Sequence, residues 1–143
     1  REMENNSNIN NQESKERLLS SKLQGIYTED RVLYADYPHL PDDELEMLKQ
    51  ETLNYFPIAK NILEDLNIPA GRLLTIQQVN LLHEGRQLPD VFFLFTFTGL
   101  GERAREVAYE LDLALSNDDY GFESFTYSQS GEVATIVGKI DTL

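Results

Sequence analysis

Thr98-Gly99-Leu100-Gly101-Glu102-Arg103-Ala104 carries a G-x-G-x-x-A pattern between a strand-like and a helix-like segment. Glycines at that spacing let a backbone approach a pyrophosphate at a helix N-terminus, which is dinucleotide-binding chemistry. Three features oppose that chemistry. Glu102 sets a like charge beside the phosphates, and the following strand over residues 122–128 ends without a carboxylate to grip a ribose. Only about 40 residues follow the pattern, too few for a doubly wound sheet. The pattern reads instead as a tight strand-to-helix turn that requires small residues.

Glu102, Glu106 and Glu110 then recur at i,i+4 spacing, stacking like charges along one helix face. Arg103 and Arg105 relieve part of the repulsion. A solvated face accounts for such a ridge, and so does a face that awaits a basic partner, because stacked like charges cost stability until they are neutralised. Asp118, Asp119 and Tyr120 extend the acidic and aromatic character just beyond the helix. Aromatic residues of this kind anchor interfaces, so these six residues form the expected partner-binding set.

Other chemistries find less material. His39 and His83 lie 44 positions apart, and neither falls in a metal-ligand spacing. Taking Gly121 as the glycine of a calcium loop puts Ser116 and Tyr127 at its first and last ligand positions, which excludes an EF-hand. No G-x-S-x-G elbow supports Ser128 or Ser130 as a nucleophile. The chain has no cysteine, which removes thiolate metal sites, thiol catalysis and disulfides. No catalytic residue is assigned, and no metal or cofactor is expected.

Charge narrows the partners. Acidic residues outnumber basic ones 25 to 12 in 143 residues, for a net charge of −13. That balance argues against phosphate neutralisation and hence against nucleic acid. The longest apolar run, Val91 to Phe95, is too short to span a bilayer. The N-terminus has no apolar core of a signal peptide, and Met3 reads as a native start, a removed leader being the alternative. A cytoplasmic protein without a membrane partner is expected.

These residues need elements to position them. Residues 1–25 read as an arm, Asn- and Ser-rich to about residue 13, with a short helix over residues 14–24 on the spacing of Leu18, Leu19 and Leu23. Residues 26–143 read as one domain. Residues 31–37 alternate as an edge strand. Pro41 and the acids Asp42, Asp43 and Glu44 open a helix. Pro57 either kinks it or begins a second one as a first-turn residue, which reads as two consecutive helical segments meeting at Pro57. Residues 72–83 form a strand with a bulge near Gln77-Gln78, residues 84–90 a loop, and residues 91–98 a central strand. Ala104, Val107, Ala108, Leu111 and Leu115 are the buried stripe of a helix over residues 101–115. A hairpin over residues 122–128 and 132–141 completes the order β-αα-ββ-α-ββ. This predicts an α+β two-layer sandwich, a mainly antiparallel sheet with helices on one face, ferredoxin-like or related.

Residues 91–141, with Gly99-Leu100-Gly101 in the turn before the helix, resemble half of several ferredoxin-like regulatory modules, including the amino-acid-binding ACT type. The resemblance implies an effector site at Thr98, Gly99, Leu100 and Gly101, and a homodimer. The residues themselves point first to a non-catalytic acidic module that binds a basic protein, as an inhibitor, immunity-type protein, chaperone or regulatory subunit would. The effector-binding domain is the alternative.

Overall fold

The computed structural model describes residues 19–116 and 121–141. It is an α+β fold in which a six-stranded antiparallel sheet carries one bent helix and a second, straight one. The strands are β1 (Leu19–Tyr27), β2 (Val32–Ala35), β3 (Arg72–His83), β4 (Arg86–Thr98), β5 (Phe122–Ser130) and β6 (Val133–Asp141). The helices are α1 (Asp42–Leu53), α2 (Tyr55–Asp65) and α3 (Ala104–Leu115).

The strand order is β2-β1-β3-β4-β6-β5. Since neighbours are antiparallel, β2 runs parallel to β3 with β1 between them, and β4 parallel to β5 with β6 between them. Each helical crossover therefore closes a split β-α-β unit, and the β3–β4 hairpin joins the two units at the sheet centre. A ferredoxin-like order would interleave the units. Here they lie side by side.

Three local expectations are corrected. Residues 19–24, expected in a short helix, belong to β1, which pairs with β3 from Leu19 opposite His83 to Tyr27 opposite Ile76. The leucine spacing suits a helix, but Ser20, Ser21 and Gly25 are poor helix formers and the long partner strand decides the outcome. The element order thus gains a strand at its start. The expected loop over residues 84–90 is a two-residue turn, Glu84-Gly85, with φ of 53° and 79°. Two successive positive-φ residues match the twist of a hairpin, so β4 begins at Arg86. The helical break falls at Asn54, and Pro57 sits in the first turn of α2, where its missing N–H costs no hydrogen bond.

The core lies where the alternating side chains of the sheet meet the helices. Val91, Phe93, Phe95 and Phe97 of β4 are all buried, as are Ala104, Val107, Ala108, Leu111 and Leu115 of α3. Tyr55 of α2 packs edge-on against Phe93 and Phe122, with ring centroids 5.9 and 5.7 Å away. Phe122 and Phe125 lie over Gly138 of β6, where an added Cβ would fall within 2.8 Å of both rings. This cluster fixes one face of α3 against the sheet and turns the opposite face outward.

Candidate functional site

The buried stripe of α3 leaves Arg105, Glu106, Tyr109 and Leu113 exposed, with Glu110 half-buried between them. Glu102 stands in the turn before the helix. Of the six residues expected to bind a partner, the structure brings Glu102, Glu106 and Glu110 together. They line one shallow groove with Arg105, Tyr109 and Leu66, the last from the end of α2. Asp118, Asp119 and Tyr120 lie outside the described residues.

The three glutamates differ in their partners. Arg103 donates from Nε and a terminal nitrogen to the two carboxylate oxygens of Glu106, at 2.9 and 3.0 Å, in the forked geometry that suits a guanidinium. That hydrogen bonding holds the Glu106 carboxyl below its ordinary range and raises Arg103. Among the described residues, Glu102 and Glu110 pair with no cation. Tyr109 and Leu113, one turn apart, are 60% and 58% exposed. The face therefore offers, among the described residues, two carboxylates without an ion pair beside two large apolar side chains, with Arg105 in the same groove.

The Gly99-Leu100-Gly101 turn is occupied by the fold. Leu100 is a core residue, 2% exposed. Gly99 has φ of 75°, and a Cβ there would stand 2.0 Å from the Ala70 carbonyl oxygen. The two chain segments thus touch backbone to backbone at Ala70 and Gly99, which only glycine permits. Gln129 of β5 donates from Nε2 to the Gly101 carbonyl oxygen, fastening the turn to the neighbouring hairpin.

His39 is exposed in the segment between β2 and α1, and His83 is exposed at the end of β3. Among the described residues no three His, Asp or Glu side chains are placed to share a metal ion. Among them, too, no helix is long and apolar enough to cross a membrane.

Sequence reasoning missed a second feature. Gln24, Gln78 and Asn80 are buried polar side chains, and the hydroxyl of Tyr37 donates to Gln78 Oε1 at 2.5 Å. Burial pushes the Tyr27 and Tyr37 hydroxyls above their ordinary values, so both stay neutral. The signal was present in β3, where Gln78 and Asn80 continue the inward alternation of Ile76. It reads as a slip in an apolar pattern unless the polar residues are allowed onto the inner face.

Comparison with models of protein families, with curated proteins and with solved structures returns no match.

Proposed function

We propose that the chain is a non-catalytic acidic module that binds a basic protein partner through the outward face of α3. In this reading the helices form one layer over the sheet, a two-layer relative of the ferredoxin-like plan, and the setting is cytoplasmic. The observation that carries the proposal is the pairing of Tyr109 and Leu113, both largely exposed, with Glu102 and Glu110, which lack a cation among the described residues. A face meant only for solvation needs no such apolar pair, whereas an interface centre needs an aromatic anchor within a charged rim. The net charge of −13 draws a cationic partner from a distance. Asp118, Asp119 and Tyr120 complete the partner-binding set expected from the sequence and lie outside the described residues. An inhibitor, an immunity-type protein, a chaperone and a regulatory subunit all use such a surface.

The alternative effector-binding dimer draws less support from the geometry. Leu100 is spent in the core, and the Ala70 carbonyl fills the space above Gly99.

The test is affinity capture from the source cell's lysate at low and high salt, run beside a Glu102→Lys, Glu110→Lys variant. A basic protein retained at low salt by the wild type and lost by the variant supports the reading. A partner held equally by both proteins moves the interface away from α3 and refutes it.

A further inference from the structure

A cavity of about 400 Å³ opens between the segment joining β2 to α1, the first turns of α1 and the open end of the sheet. It shares no residue with the α3 face. Two sheet irregularities build its floor. In β1, Leu23 pairs with Val79 and Gly25 with Gln78, so Gln24 is the extra residue of a bulge. Lys22 lies opposite Asn80, so alternation along β1 already puts Gln24 on the face of Asn80 and Gln78, and the bulge adds Gly25 to that face. Gln24 lines the cavity. Between β3 and β4, Asn80 pairs with Val91 and the next pair is Leu82 with Gln87, so Leu88-Pro89-Asp90 arches away. Asn80 Nδ2 braces that arch by donating to the Leu88 and Asp90 carbonyl oxygens, each at 3.0 Å.

The polar atoms left over point to a ligand. Asn80 is 3% exposed, and with Nδ2 fully engaged its Oδ1 accepts from no described residue. Tyr37 occupies Gln78 Oε1, while the Gln78 amide N–H groups donate to no described residue. Gln24 is 8% exposed, and neither end of its amide has a described partner. Buried amides left in this state are uncommon, because each loses its hydration without replacement. The Tyr27–Tyr37 hydroxyl pair, 2.9 Å apart, lies over Gly25, where a Cβ would come within 2.7 Å of both side chains. The glycine therefore makes room for the network that orients Gln78.

We propose that this cavity binds a neutral small molecule presenting a hydrogen-bond donor and acceptor side by side, as a cyclic amide or a carboxamide does. The free amide N–H groups meet the ligand's carbonyl, and Asn80 Oδ1 meets its N–H. Leu40, Leu48, Leu88 and Val91 supply apolar walls for the rest of the molecule. No Lys or Arg lines the cavity and Glu44 does, so an anion is disfavoured by charge. A hydrocarbon would fill the walls but leave the amides unmet. The volume falls in the range that holds a small organic ligand.

The experiment follows the side-chain amide resonances of the full chain in nitrogen-15 correlation spectra. The probes are uracil and nicotinamide, with nicotinate as the anionic control and toluene as the apolar one. A saturable shift of the Gln24 and Gln78 side-chain signals with uracil shows a nucleobase-type amide, and one with nicotinamide an aryl carboxamide. Either result supports the proposal, provided the controls bind at least tenfold more weakly. No saturable shift with either amide overturns it, as does equal binding of toluene or nicotinate. Gln24→Leu weakens amide binding by at least tenfold while the variant melts no lower than wild type. Undiminished binding by that variant also overturns the proposal.

Discussion

Replacing Gly99 by alanine separates a turn that serves the fold from one that serves a ligand. The residue holds φ of 75°, which costs an alanine about 1–2 kcal/mol. The new Cβ would also sit 2.0 Å from the Ala70 oxygen and 2.7 Å from its carbonyl carbon, both rigid backbone atoms. Relieving such an overlap by backbone shifts costs roughly another 1–3 kcal/mol. The summed loss is about 2–5 kcal/mol, a large part of the stability of an ordinary domain. Gly101 supplies the internal comparison. Its φ is 64°, yet a Cβ there meets nothing within 4 Å, so Gly101→Ala loses only the conformational part, about 1–2 kcal/mol. Urea unfolding followed by circular dichroism measures both. Gly99→Ala should lower the midpoint further than Gly101→Ala, by an amount worth about 1–3 kcal/mol, or leave the chain unfolded. Equal, small losses at the two positions would refute the close contact between Ala70 and Gly99.

Other perturbations read other parts of the structure. Burial raises the folded Tyr37 hydroxyl above its ordinary value of 10.0, so the stability it contributes is complete below pH 10 and is lost as the pH rises further. Phenolate absorbance and near-ultraviolet circular dichroism should therefore show ionisation coupled to unfolding above pH 10; ionisation of every tyrosine in a folded protein would contradict it. The Glu106 carboxyl should titrate below its ordinary range and return upward in Arg103→Ala, as followed by carbon-13 shifts. Tyr37→Phe removes the donor to Gln78 and leaves a buried oxygen unmet, so the urea midpoint should fall by an amount worth about 1–3 kcal/mol. Gln24→Leu removes an amide without a described partner and should leave the midpoint unchanged or raise it; a clear fall would show that the amide is satisfied.

The elements that local patterning determines were legible in the sequence. The stripe Ala104, Val107, Ala108, Leu111 and Leu115 is the buried face of α3, and the alternation from Val91 to Phe97 marks the inner face of β4. Where distant pairing decides, local reading fails. Leu19 and Leu23 fit a helical spacing, but β3 recruits their segment as a strand. Pro89 suggests a loop because it cannot donate to a ladder, yet the arch beside Asn80 accommodates it within β4. The acidic spacing of Glu102, Glu106 and Glu110 was equally plain, although the fork from Arg103 to Glu106 and the exposure of Leu113 needed coordinates. The polar cavity lies at the far end of this scale. Gln78 and Asn80 follow from alternation along β3, whereas Gln24 joins them only through the distant pairing of β1, Lys22 lying opposite Asn80.

The central claim is that α3 binds a basic partner through its acids and its apolar pair. The most direct measurement is the association rate of the captured partner with wild type and with Glu102→Lys, Glu110→Lys, across a series of salt concentrations. The account predicts a wild-type rate that falls steeply with salt and a variant rate that is slower and nearly flat. Rates that coincide at every salt concentration would contradict it.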